Sequence, residues 1–177
     1  MDGCPPIVGY DNGKSPVYAE RCRLRNEVAY QYIEQKHFRY VVLASSWPTS
    51  SDVYFLLSSS IKRLLATGAQ VVIILKNETI ENASSCTIRN AMYGTDNDCK
   101  QQPRGQPEYI ADIREQFPSV RFVDPNSVIC GVLECDPMLD GVLIYRDSSH
   151  LNDLGARLIG EKLIENGFTL LGANLNY

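Results

Sequence analysis

Two short, wholly apolar runs, Tyr40-Val41-Val42-Leu43-Ala44 and Val71-Val72-Ile73-Ile74-Leu75, stand out from the surrounding pattern. Runs this short and this continuous predict strands buried on both faces. Between them, Val53, Leu56, Leu57, Ile61, Leu64 and Leu65 recur at helical spacing and predict a helix that stops near Gly68. Residues 20–38 also read as a helix, with Leu24, Val28 and Tyr32 four residues apart as its apolar stripe. The segment before it, from Pro5 to Pro16, is rich in Gly, Pro, Asp and Asn and reads as loop. Residues 76–106 are polar and predict a long excursion over the surface. Ile110, Ile113 and Phe117 mark a helix over 107–117, and residues 120–123 and 142–145 predict two further strands. Asn152 is placed to cap a last helix that runs to Asn166 and closes at Gly167. Strands alternating with helices predict an α/β layered fold with a mainly parallel sheet. No repeat, low-complexity tract or long linker divides residues 1–177, so one domain is expected.

Composition narrows the functional classes. With 177 residues, 44% of them hydrophobic and 21% charged, the chain is long enough for a real core. A net charge of -4 argues against a broad nucleic-acid footprint, which needs clustered Lys and Arg. The apolar runs are too short to cross a bilayer. The residues after Met1 show neither the basic region nor the apolar core of a signal peptide. The cysteines fall as Cys4 and Cys22, Cys86 and Cys99, Cys130 and Cys135. Their even number and local spacing suggest three nearby bridges, which would place the domain in an oxidising compartment. The alternative is six reduced, buried thiols in a cytosolic protein. None of the spacings is Cys-x-x-Cys and neither histidine lies near a pair, so zinc is the weaker reading. An exported domain with no export signal of its own leads us to expect a preceding segment. Asn77-Glu78-Thr79 and Asn82-Ala83-Ser84 match the glycosylation sequon, which matters only in a secreted eukaryotic protein.

The candidate chemistry lies in Tyr145-Arg146-Asp147-Ser148-Ser149-His150-Leu151-Asn152. A carboxylate stands three residues before one of only two histidines, between a predicted strand and a predicted helix. In α/β folds ligands sit at the carboxyl ends of strands. There Asp147 would hold the Nδ1 proton of His150 and leave the imidazole free to act as a base. On spacing alone, the pair also reads as a helix cap beside a surface histidine. His37, next to Phe38 at a predicted helix end, is explained by the helix dipole without any further role.

The string from Asp147 to Asn152, followed by Gly155-Ala156, resembles the last block of the SGNH hydrolase superfamily. With Tyr145-Arg146 before it and Cys130 and Cys135 upstream, it looks most like the extracytoplasmic SGNH domain of acyltransferase-3 type membrane proteins. These are bacterial O-acyltransferases that modify cell-surface polysaccharides. Cys4-Pro5-Pro6 with Cys22 resembles the segment after the family's first block, and Tyr40 to Trp47 resembles its third-block strand and Trp-containing turn. The resemblance implies a three-layer, flavodoxin-like α/β/α domain that forms the C-terminal part of a larger protein. It implies a Ser-His-Asp triad with Asp147 as acid and His150 as base, which transfers an acyl group, usually acetyl, to a sugar hydroxyl or removes one. The implied partners are an acyl donor, a polysaccharide acceptor and the membrane acyltransferase domain. The implied location is periplasmic or otherwise extracytoplasmic, tethered to the membrane. No metal or other cofactor is needed.

The chain departs from the family at two places. No Gly-Asp-Ser occurs in it, so the nucleophile block and its strand are expected upstream, and the sheet is expected to lack its first strand. The Gly-x-Asn-Asp of many relatives is replaced by Ala44-Ser45-Ser46-Trp47. Ser46 and Trp47 then become the candidates for the substrate or oxyanion pocket. The alternative is that Ser45 and Ser46 cap the next helix and Trp47 packs. A non-catalytic remnant that binds polysaccharide or a partner protein is the competing reading of the whole chain.

Overall fold

The protein is described by a computed structural model that covers residues 3–169 apart from Asn12, Lys14 and Ser51. The chain forms two compact units, one from residues 1–76 and 106–123, the other from 77–105 and 124–177. Among the described residues, no helix is long and apolar enough to cross a membrane.

The first unit carries the parallel sheet. Strands β1 (Tyr40–Ala44), β2 (Gln70–Ile74) and β3 (Arg121–Val123) lie in that order and pair parallel, with Val41 opposite Val71 and Ile73 opposite Phe122. Helices α1 (Pro16–Lys36), α2 (Val53–Leu65) and α4 (Tyr109–Gln116) contribute to one core with Val41, Leu43, Val71, Ile73 and Leu75. The expected mixed α/β architecture is therefore present. The predicted stripe of α2 seats as read: Val53, Leu57, Ile61 and Leu64 are fully buried, with Leu56 and Leu65 packed beside them. Each such side chain contributes about 1.5–3 kcal/mol of transfer free energy.

Two predictions about burial fail for identifiable reasons. β2 is buried on both faces at Val71, Val72 and Ile73, but Val42 of β1 is 48% exposed. Among the described residues β1 lies at the sheet edge with β2 as its only strand partner. In α1 the helix is right and the face is wrong. Leu24, Val28 and Tyr32 are 61%, 55% and 53% exposed, whereas Ala19, Cys22, Asn26 and Tyr30 face inward. That face is selected by the Pro5–Ile7 segment. Cys22 is bonded to Cys4, and Asn26 donates through Nδ2 to the carbonyls of Pro5 (2.7 Å) and Ile7 (2.9 Å). The Tyr30 hydroxyl donates to Pro6 O at 2.9 Å, and burial pushes its pKa up to about 12. Arg63 of α2 reaches across to Glu27 and Glu34 of α1.

In the second unit, α3 (Ala83–Tyr93) lies within the stretch expected to be only surface excursion. Its polar composition hid it, since Ala83 is its only fully buried residue. α5 (Asn126–Ile129), the short antiparallel strands β4 (Met138–Leu139) and β5 (Val142–Leu143), and α6 (Asp153–Glu165) complete the unit. The predicted strand at 142–145 thus shortens to two residues paired in a hairpin rather than in the parallel sheet. Ile80, Ala83, Ile129, Cys135, Ile144, Tyr145 and Ile159 form the core. Disulfides join Cys86 to Cys99 and Cys130 to Cys135, so all three predicted bridges are present.

The two faces of α1 generate an asymmetric expectation. Asn26→Ala removes the donor for two carbonyls and should cost about 1–3 kcal/mol, while Leu24→Ser on the exposed stripe should stay within about 0.5 kcal/mol. Urea unfolding measures both. A larger loss for Leu24→Ser would mean that the apolar stripe, not the Asn26 face, is seated.

Candidate active site

Asp147 and His150 sit in a loop whose two sides meet immediately after β5. Tyr145 bridges Leu151, Arg146 N–H donates to His150 O at 2.8 Å, and Asn152 N–H donates to Ile144 O at 3.0 Å. Asn152 performs the predicted cap and more. Its Oδ1 accepts from Gly155 N–H at 2.7 Å, while its Nδ2 donates to Leu143 O at 2.7 Å. The side chain thereby ties the start of α6 to the end of β5.

Inside the loop, Asp147 is the organising group. Its Oδ1 accepts the backbone N–H of Ser149 at 2.9 Å and of His150 at 2.8 Å. Its Oδ2 lies 2.9 Å from His150 Nδ1. These donors, the two backbone amides foremost, hold the Asp147 carboxyl well below the usual carboxylate range. An ionised Asp147 accepts from Nδ1–H, so the lone pair of the neutral ring lies on Nε2. Among the described residues Nε2 meets no hydrogen-bond partner, and the His150 side chain is 57% exposed. The pair therefore leaves the outer nitrogen of the imidazole open.

The serines between them are differently engaged. Ser149 Oγ lies 3.4 Å from Nδ1, the nitrogen already turned to Asp147. Ser148 Oγ accepts the Asn82 N–H at 3.3 Å. Neither hydroxyl stands at Nε2. Of the other candidates, Ser46 is exposed. Trp47 is 2% exposed and donates its indole N–H to Ile74 O at 2.8 Å, which spends the ring on the core of the first unit. The helix after them starts at Val53 behind Asp52, so Ser45 and Ser46 do not cap it.

Residues that sequence reading passed over hold the loop from outside. Asn77 Nδ2 donates to Ser149 O at 3.0 Å, and Ile80 N–H to Ser148 O at 2.9 Å. Glu78, 6% exposed, accepts from the amides of Arg104 (3.1 Å) and Gly105 (2.8 Å), and its carbonyl accepts the Tyr145 hydroxyl at 2.7 Å. These partners lie up to 72 residues apart. No local spacing signals them.

Gly155 is a steric requirement. A Cβ there would lie 2.6 Å from Ile144 Cα and 2.7 Å from Ile144 Cβ. Gly155→Ala should lower stability by about 1–3 kcal/mol, read as a lower urea midpoint; an unchanged midpoint would mean that α6 does not press on Ile144. The depressed Asp147 carboxyl makes a second expectation. Its contribution is complete above the unfolded value of about 3.9 and is lost only as pH falls through the lower folded value. Carbon-13 titration of the Asp147 carboxyl should show a midpoint below the ordinary range; one at or above about 3.9 would mean that the amide bonds are not made.

The family model described as SGNH domain (fused to AT3 domains) matches residues 1–165. No curated protein and no solved structure matches the chain. The matched span takes in the whole Asp147–His150 loop, its Asn152 cap and Gly155. The chain therefore belongs to the SGNH hydrolase superfamily, in the family of SGNH domains fused to AT3 domains.

Proposed function

We propose that this domain transfers an acyl group, most simply acetyl, to a hydroxyl of a cell-surface polysaccharide, or cleaves such an ester. The observation that carries the reading is the Asp147–His150 pair, Nδ1 to Oδ2 at 2.9 Å with Nε2 open, in a chain of the SGNH family. The nucleophile is the serine of a Gly-Asp-Ser segment outside these 177 residues. That serine attacks the acyl carbonyl while His150 Nε2 takes its proton. The leaving group departs with that proton, and an acyl-serine remains. His150 then deprotonates the sugar hydroxyl, which attacks the acyl carbon. The serine leaves and regains the proton; with water in place of the sugar, the same cycle is hydrolysis. Asp147 fixes the tautomer and stabilises the imidazolium in both halves. A backbone amide supplies a hydrogen bond to the oxyanion.

No cofactor enters the cycle. Three disulfides support an extracytoplasmic location, and the AT3 partner domain is the membrane-bound element that brings the acyl donor. A second reading, in which the domain binds polysaccharide or a partner protein without catalysis, draws on the absence of Gly-Asp-Ser from these residues. The reading frame ahead of Met1 separates the two.

In the protein that includes the Gly-Asp-Ser segment, His150→Ala should abolish hydrolysis of a small acetyl ester. Asp147→Asn should lower kcat by roughly 10⁴-fold, the scale of losing the tautomer-fixing acid. Retained activity in His150→Ala would remove the base assignment. An effect of a few-fold in Asp147→Asn would leave Asp147 a structural cap.

A further inference from the structure

One feature of the second unit is used neither by its core nor by the triad. The segment after α3 is fastened back onto that helix although little of it is buried. The Cys86–Cys99 bridge joins its far end to the helix. Asn90 of α3 gathers the middle: its Oδ1 accepts from Thr95 Oγ1 (2.8 Å), Asn97 N (3.1 Å) and Asn97 Nδ2 (2.9 Å), and its Nδ2 donates to Asn97 O (2.8 Å). Lys100 is drawn down by Glu134 at 2.8 Å. A solvent-exposed loop is thus held in one shape by a covalent bond and a closed set of hydrogen bonds. Such pre-ordering lowers the entropy lost on binding.

What the loop and helix enclose is an open cleft of about 450 Å³. Tyr93 lines it with 72% of its surface exposed. Arg89 lines it too. Its Nε donates to Ser85 O at 3.3 Å, and its two terminal nitrogens meet no partner among the described residues. The Asn82 side chain, on the same wall, makes no cap bond and has no partner among the described residues. An unclaimed aromatic ring, guanidinium and carboxamide on a rigid rim match the face and hydroxyls of a sugar ring. The charges are mixed, with Glu81 paired to Arg104 at 2.5 Å, which disfavours a polyanion or an apolar ligand. The cleft is open to solvent, which suits a stretch of polymer better than an enclosed small molecule.

Its position ties it to the loop of His150. Asn82 N–H donates to Ser148 Oγ, and Ile80 N–H to Ser148 O. One wall of the cleft is therefore hydrogen-bonded directly to Ser148, one of the two residues between Asp147 and His150. We propose that this cleft binds sugar units of the acceptor polysaccharide, with Tyr93 as stacking face and Asn82 and Arg89 as hydrogen-bonding groups. The assignment rests on the reading of the domain as acting on polysaccharide, and it locates the acceptor on α3 and the 94–100 loop.

Binding of the de-O-acetylated surface polysaccharide from the producing organism to the 177-residue chain tests it, by isothermal titration. The unaltered chain should bind, and Tyr93→Ala and Arg89→Ala should each weaken binding about tenfold or more, the scale of one lost anchoring contact. Tyr93→Trp, which keeps a stacking face, should bind within about threefold of the unaltered chain. Thermal unfolding confirms that the variants are folded. No binding by the unaltered chain, or unchanged affinity in either alanine variant, overturns the site. Ester hydrolysis by the longer protein reports on the triad separately. Hydrolysis with Tyr93-independent binding removes the cleft and keeps the enzyme, whereas Tyr93-dependent binding without hydrolysis keeps the cleft and removes the enzyme.

Discussion

Backbone amides and carbonyls outside helices and strands still need partners, and this protein supplies several of them from a few polar side chains. Asn26 serves the carbonyls of Pro5 and Ile7. Glu78 serves the amides of Arg104 and Gly105. Asn152 serves Leu143 O and Gly155 N–H. Asp147 serves the amides of Ser149 and His150. Each converts an irregular segment into one with a single geometry. Without them the helix face, the 104–105 turn and the histidine loop would each have competing arrangements.

At Asp147 this structural duty and the proposed chemistry coincide. The amides that close the loop are the donors that keep the carboxyl ionised, and an ionised carboxylate is what holds the Nδ1 proton. The Asp147–His150 pair is half exposed, and on its own such an exposed contact contributes little. Its geometry comes from backbone bonds within the loop and from Asn77 and Ile80 outside it. The loop is thus positioned by its supports rather than by the attraction of the two groups for each other.

How much of this was legible beforehand differs by element. The α2 stripe, the β2 run and the Asn152 cap were readable because local apolar spacing and capping chemistry decide them. The Asp-x-x-His spacing was readable because three residues bring an acid and a histidine together on one turn. Helix α1 was readable as a helix but not by its face. The disulfide and the Asn26 bonds outweigh a stripe of Leu24, Val28 and Tyr32 that finds no cover among the described residues. Helix α3 escaped because a helix that buries one alanine leaves no apolar period to detect. The exposure of Val42 was not readable because strand burial depends on what the strand acquires as neighbours, and among the described residues β1 acquires one strand.

By itself, then, the sequence determined the mixed α/β class and the family, and its short-range spacing suggested the cysteine partners and the closeness of Asp147 to His150. Tertiary structure alone decided which face of α1 is seated, that Trp47 serves the core, that Ser149 meets Nδ1 rather than Nε2 of His150, and that Asn77, Glu78 and Asn82 gather around the Asp147–His150 loop. The physical reason is the same in each case. These outcomes turn on hydrogen bonds between residues far apart in the chain, whose side chains carry no periodicity and acquire a partner only when the chain has folded.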